Sequence, residues 1–400
     1  MQIEKTSRIT SIDLLRGLIM VIMALDHSRD FLHFDAWTHD PLDFRYTTPI
    51  LFLTRWVTHF CAPNFILLAG LSAYLYGLKK GGNELTKFLV TRGLWLILLE
   101  LTLFKFLWTG TLFTMHFTAL VIWAIGVSMV FLAFWRKLPY WFILASGLAI
   151  ILFHNVADYF EPGTMGILNA VGLEQQSSPT SALGILWAFL HKVTPVTMGS
   201  LHVFVLYPLL PYFGLISLGY CLGKFYVPGY VAEARQRNLI LIGTICIALF
   251  IVLRLFNTYG DPSPWTPYHN LWSGSANYVF SFLSFINVTK YPCSLLYILI
   301  MVGPALLFLA MFETANNAIA RFFITIGKVP MFYYILHLIM FNLIALLLQR
   351  LNRFDTAHNH YHLATVYFAW IFVVAFLYPL CSWYAKYKAA HPEKWWLSYI

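Results

Sequence analysis

The chain has 400 residues, of which 60% are apolar and 11% charged, with 14 Trp, 23 Tyr and 35 Phe and a net charge of +9. Its mean hydropathy of +0.69 and its scarcity of charge, against roughly 25% in a soluble domain, exclude an ordinary water-soluble globule. The composition predicts an all-α polytopic membrane protein whose basic excess lies in cytoplasmic loops, not on a nucleic-acid surface.

Spans of about 20 apolar residues, oriented by the positive-inside rule, number about ten, with the N- and C-termini cytoplasmic. The first, Ser11 to Phe31, has Lys5, Arg8 and Arg16 at its start. It ends in Asp26, His27, Arg29, Asp30 and His33 rather than in a small-residue cleavage site, so it reads as uncleaved. The second, Pro49 to Leu78, returns to Lys79, Lys80, Lys87 and Arg92. The third, Gly93 to Trp108, is interrupted by Glu100 and Lys105, and the fourth, Phe117 to Trp135, stops at Arg136 and Lys137.

The fifth span, Tyr140 to His154, opens an outer loop reaching Ser181, and Leu183 to Leu190 is expected at the interface or as a re-entrant piece. Spans six (Leu201 to Phe225) and seven (Leu239 to Phe256) lead to a loop from Asn257 to Lys290, long enough to be functional or to hold its own helix. Spans eight (Cys293 to Met311), nine (Val329 to Leu348) and ten (Leu363 to Ala385) finish at Lys386, Lys388 and Lys394. No linker or repeat divides the chain, so 1–400 reads as one transmembrane domain with short cytoplasmic tails at 1–10 and 386–400. The five cysteines lack a CxxC pair and read as buried free thiols.

Charges placed within apolar helices are costly and mark functional sites. In the first span Asp26 is three residues from Arg29 and four from Asp30, so these side chains share a helix face. A carboxylate beside His27 is the usual way to orient a general base; a salt-bridged helix end wetted by headgroups is the plain alternative. Arg55 and His59 are likewise four apart on span two, ahead of Pro63 and Asn64, and are expected to front the same region. Arg254, two helical turns before Asp261, reads first as a structural ion pair, whereas His337 divides evenly between core and pocket. The tract His358, His360, His362 is a weak metal signal, and no metal is predicted. Nucleophile-elbow, Walker and zincin motifs are absent.

The runs RITSIDLLRGLIMVIMALDHSRDF, RWVTHFCAPNFILLAGLSAYLYG, LYPLLPYFGLISLGYCLG, RLFNTYGDPSPW, FLSFINVTKYPCSLLYIL and GKVPMFYYILHL together resemble bacterial membrane proteins of the heparan-α-glucosaminide N-acetyltransferase-like family, within the transmembrane acyltransferases. The resemblance spans roughly Arg8 to Leu338. It implies a multi-pass protein of the bacterial inner membrane that passes acetyl from cytosolic acetyl-CoA to an amino sugar across the membrane. In the enzyme that names the family an Asn near the end of the opening span and a His in the following loop take part. Counted from the shared SxD motif, that Asn position falls at His27. The loop His has no unambiguous counterpart, with His33 and His39 both nearby, and His59 stands where the naming enzyme carries an acidic residue.

The expectation is therefore an acyltransferase with acetyl-CoA or another acyl-CoA as cosubstrate and an extracytoplasmic glycan or amino sugar as acceptor. His27 is the first choice of base, with Asp26 to orient it and His59 or Arg55 to stabilise the oxyanion. Arg29, Asp30, His33, Asn64, Arg254 and His337 are candidate acceptor contacts. Arg16, Lys79, Lys80, Arg92 and Lys328 are candidate contacts for CoA phosphates, each equally a topology determinant. Besides acyl-CoA, acceptor and bilayer, a homodimer partner is compatible with the sequence. The competing class is a proton-coupled transporter using the same Asp, His and Arg residues as a relay; the absence of a visible inverted repeat argues against it. A haem or quinone protein would use the histidines but lacks paired His at helical spacing.

Overall fold

The computed structural model describes residues 9–33, 36–159, 178–179, 181–269, 277–351 and 362–399. Outside them fall Lys5 and Arg8, most of the outer loop after Tyr159, and His358 and His360 of the histidine tract. The chain folds into two compact units, one formed by Met1–Cys61, Pro228–Leu241 and Ala305–Ile400, the other by Ala62–Val227 and Ile242–Pro304.

The first unit is built on α1 (Thr10–Leu32), α2 (Pro49–Thr58), α13 (Ala318–Gly327), α14 (Pro330–Leu351) and α15 (Leu363–Ala390). It also takes in the start of α10 (Ala232–Phe256) and the end of α12 (Leu295–Met311). The S-I-D-x-x-R-G signature opens α1 and is a crossing device. Asp13 and Arg16 pair at 3.0 Å, one helical turn apart, and Arg16 Nη1 donates to the Gly327 carbonyl at 3.3 Å. Gly17 lets the backbones meet: a Cβ there would lie 1.8 Å from the Phe323 carbonyl oxygen, and one on Gly327 would lie 1.9 Å from that of Asp13. Leu14 packs beneath the crossing against Ala320 and Ile324. Small residues at such a crossing substitute close backbone contact for the hydrophobic drive that lipid removes. Farther along α1, Leu25 and Leu32 pack on Val366 of α15, where Trp370 Nε1 donates to the Val21 carbonyl and Ser28 Oγ to that of Val366, both at 2.8 Å.

The second unit holds α3 (Cys61–Lys80, from Ala62), α4 (Gly82–Leu99), α5 (Lys105–Thr109), α6 (Val121–Trp135), α7 (Tyr140–Phe153), α8 (Ala182–Leu190), α9 (Leu209–Leu222) and α11 (Tyr278–Ile286). Here two sequence expectations need correction. The starts of spans four and six are not helical: β1 (His116–Ala119) pairs parallel with β3 (Leu201–Val205), which pairs antiparallel with β2 (Thr194–Met198). HFTA and LHVFV are too short and too rich in β-branched and aromatic residues for apolar content alone to distinguish strand from helix. The fold is thus mainly helical with a small three-stranded sheet, not purely α. Span three contains a π-helical turn, Glu100–Phe104, in the middle. Glu100 accepts the Trp123 backbone N–H at 3.2 Å, satisfying the start of α6, while Lys105 Nζ donates to the carbonyls of Leu112 and Thr114. Both charges therefore hold backbone ends together.

Among the described residues five helical stretches are long and apolar enough to cross a membrane: Pro49–Lys80, Tyr140–Asp158, Ala232–Phe256, Pro330–Leu351 and Leu363–Ala390. Apolar windows that stay largely exposed, only 22% buried in Ala232–Phe256, are the mark of lipid-facing helices. The opening helix α1, despite its 23 residues, is excluded from these five by the charges at both of its ends. The helical pair α2 and α3 is broken at His59 and Phe60 because Pro63 cannot donate to the His59 carbonyl one turn back. A helix not anticipated from the sequence, α13, is the short amphipathic partner of the α1 crossing.

The crossing makes a prediction. Gly17→Ala should lower stability by about 1–3 kcal/mol through overpacking, seen as a lower Tm in detergent. Gly82→Ala, whose Cβ would meet the nearest Arg136 nitrogen at 3.6 Å, should leave Tm unchanged.

Candidate active site

The far end of α1 carries a cluster of ionisable side chains. Asp26 lies between two guanidinium groups: Arg55 Nη1, reaching across from α2, contacts its carboxylate oxygens at 2.6 and 2.5 Å, and Arg29 Nη2 contacts Oδ1 at 3.3 Å. The same Arg29 Nη2 donates to Asp30 at 2.5 Å. Two carboxylates and two guanidinium groups thus balance, which is what burial demands, since removing one partner strands the other. Arg29 is 3% exposed, and among the described residues its Nε and Nη1 have no acceptor.

His27 sits one residue on from Asp26. Its Nδ1 is 2.7 Å from Nε2 of His337 on α14, with the two ring planes 6° from parallel. His337, fully buried, has its Nδ1 2.9 Å from the Tyr333 carbonyl one turn back. A carbonyl only accepts, so Nδ1 of His337 carries its hydrogen and Nε2 its lone pair. His27 must then donate from Nδ1, and its Nε2 is the basic nitrogen. The hydrogen-bond pattern assigns this tautomer. Tyr334 stands edge-on to His27 at 5.8 Å.

The other expected site residues divide by unit. His33, at the C-cap of α1, and His59, at the break after α2, are both buried in the first unit. His33 lines a small pocket with His39, Asp40, Pro41, Tyr46 and Leu51, in which the His39 and Tyr46 rings lie 3.8 Å apart. Arg16 is engaged at the α1 crossing, and Lys328 follows α13. Asn64 and Arg254 belong to the second unit and hold backbone there. Asn64 Nδ2 donates to the Met301 carbonyl at 3.0 Å, and the buried Arg254 donates to the carbonyls of Ser263, Ser284, Phe285 and Asn287. Lys79 and Lys80 are exposed at the end of α3, and Arg92 on α4 lies over the Phe88 ring.

A His–Asp pair in the second unit was not anticipated. In the second unit His191 Nε2 contacts Asp158 at 2.9 Å, Asp158 accepts from Asn155 at 2.6 Å, and Asn155 accepts the Leu295 N–H at 2.8 Å. Residues 33 apart in a stretch without a motif give no sequence signal; only the adjacent residues His154, Asn155 and Asp158 at the end of a span hint at it. Among the described residues no group of three His, Cys, Asp or Glu could hold a metal ion.

The family model for the catalytic domain of heparan-alpha-glucosaminide N-acetyltransferase matches residues 8–253. The chain belongs to that family. A search of curated proteins finds no match. The matched segment contains α1, α2 and His27, whereas His337 lies beyond it, so half of the imidazole pair is contributed by the C-terminal helices of this acetyltransferase-family chain.

Two predictions follow from the geometry of the first unit. Asp26→Asn should destabilise by about 3 kcal/mol because it removes the carboxylate charge that the buried Arg55 and Arg29 both contact, and adding Arg55→Gln should recover part of that loss, a coupling that a double-mutant cycle reads directly. In the loop beyond α1, Arg45 hydrogen bonds hold the Asp43 carboxyl below its ordinary value. A lowered folded pKa contributes stability above the unfolded value of about 3.9, lost only as pH falls through the lowered one. Amide protection over residues 43–47, measured relative to intrinsic exchange, should therefore persist on acidification to about pH 4 and be lost only as pH falls further, and Asp43→Asn should remove that acid-induced loss.

Proposed function

We propose that the chain is a membrane-embedded acyltransferase that moves an acyl group, acetyl first of all, from acyl-CoA to a carbohydrate-like amine or hydroxyl on the other side of the membrane. In this reading 1–400 acts as one transmembrane domain of about ten spans in the bacterial inner membrane, with both termini and the CoA side cytoplasmic. The observation that carries it is the His27–His337 pair. It gives His27 a basic Nε2 at the sequence position where the family's naming enzyme has its Asn, and it fixes the ring by a second group, as a general base requires.

In the reaction the acceptor N–H or O–H attacks the thioester carbonyl carbon. His27 Nε2 takes the acceptor proton, and the imidazolium charge is shared with His337 through the Nδ1–H bond. The carbonyl oxygen becomes an oxyanion, for which Arg29 Nε and Nη1 supply donors that no described residue uses. Collapse breaks the C–S bond, and the proton on His27 passes to the sulfur, giving the amide or ester and free CoA. Arg55 then acts mainly by neutralising Asp26, and Asp26 by holding Arg29 in place. His33 and Asp30 remain candidate acceptor contacts, and His59 an alternative oxyanion donor. A proton-coupled carrier is the second reading, supported by the direct hydrogen bond between the His27 and His337 rings.

His27→Ala should lower kcat for acetyl transfer by roughly 10²–10⁴-fold while leaving the affinity for CoA unchanged. His337→Phe, which removes only the orienting acceptor, should lower kcat by a smaller factor, with little change in KM and a displaced pH profile. Full transfer by His27→Ala, or no thioester binding by the wild-type protein, would overturn the acyltransferase reading and favour the carrier.

A further inference from the structure

At the end of the first unit where α1 begins, a cleft of about 550 Å³ is lined by Thr325, Lys328 and Val329 at the turn from α13 to α14, and by Ser382, Ala385, Lys386, Lys388 and Ala389 of α15. Three lysines from two separate stretches of chain converge on one concavity, two hydroxyl side chains join them, and no carboxylate lines it. A cleft walled by one sign of charge focuses the field and concentrates counter-ions. Its volume falls in the range of small-molecule sites. We propose that this cleft binds clustered phosphate groups.

The crossing explains why the cleft has a fixed shape. The turn that presents Lys328 is held from behind by Arg16, whose donation to the Gly327 carbonyl ties it to the signature of α1. Val329, on the cleft wall, immediately precedes α14, whose N-terminal N–H groups add partial positive charge. The same two helices then run from the cleft to the imidazole pair. At 1.5 Å per residue His337 is roughly 11 Å along α14 from Pro330, and His27 roughly 16 Å along α1 from Arg16. A ligand with its phosphates in the cleft and an extended arm along this unit would bring its far end toward His27. Such a shape fits the nucleotide end of an acyl-CoA, an identification that rests on the function proposed above. An anionic lipid headgroup offers the same phosphate chemistry.

The test uses the full-length protein in nanodiscs of zwitterionic phosphatidylcholine. CoA affinity is measured by titration, with pantetheine as the probe lacking phosphates, and retention of phosphatidylglycerol is read by native mass spectrometry. The triple variant Lys328→Gln, Lys386→Gln, Lys388→Gln should weaken CoA roughly tenfold or more, leave pantetheine unaffected, and flatten the salt dependence of binding. The corresponding triple Lys→Arg variant should retain CoA, which separates loss of charge from loss of fold. Loss of CoA binding by the Gln variant identifies the phosphates as those of the nucleotide. Loss of phosphatidylglycerol retention with CoA binding unchanged identifies them as a lipid's, and the cleft stands as a phosphate site. Unchanged binding of both overturns the proposal. Failure of the transferase reading is distinct: it appears as wild-type protein that binds no thioester, whatever the lysines do to lipid.

Discussion

Charge inside an apolar bundle has to meet counter-charge, and in this protein that requirement is satisfied around one carboxylate. Asp26 receives Arg55 from α2 and Arg29 from its own helix, and Arg29 in turn reaches Asp30. With the four formal charges cancelled locally, α1 and α2 can approach without leaving a bare ion in low dielectric. The arrangement also fixes what lies next to it. His27 follows Asp26 in the chain, so anchoring Asp26 sets where the imidazole points, and His337 completes its orientation from α14.

The two ends of α1 do different jobs with similar residue types. At its start, Asp13 and Arg16 form a pair whose spare capacity goes to a backbone carbonyl, and Gly17 removes the side chain that would keep α13 away. The S-I-D-x-x-R-G stretch is here a packing element. At its other end, Asp26 and Arg29 have the same three-residue spacing, but a second arginine arrives from another helix and two guanidinium nitrogens stay without acceptors. The first pair holds a helix crossing together; the second leaves buried donors on Arg29. The difference lies in what surrounds each pair and cannot be read from spacing.

That contrast describes how much the sequence reveals. The long helices were legible because their apolar runs are long: α1, α10, α14 and α15 begin and end within a few residues of expectation, or extend beyond it into polar ends. The break between α2 and α3 has its cause in Pro63. The strands β1 and β3 were hidden because four or five apolar residues carry no periodicity to separate strand from helix. In the site, the α1 charges and their i, i+3 and i, i+4 neighbours were legible because helical geometry is local. The bond between His27 and His337 spans 310 positions and has no local signature. Asn64 and Arg254 stand out in the sequence because a polar side chain in an apolar helix signals a partner; that backbone carbonyls are among those partners is something sequence does not display.

The extent of the family match carries a further consequence. Residues 8–253 include the opening helix and its charges, yet much of what packs around that helix comes from the other end of the chain. Val366 and Trp370 pack and hydrogen bond against α1, Tyr367 meets Thr54 on α2, and His337 supplies the acceptor for His27. A loop-closure cost of this length grows only logarithmically with the intervening residues, so a bundle can recruit its last helices to its first without great penalty. The tautomer of His27 is then a property of the whole first unit and not of the matched segment. A chain with the same charged cluster but a different residue at the position of His337 would keep the packing of α1, while its His27 would lose the acceptor that places the hydrogen on Nδ1.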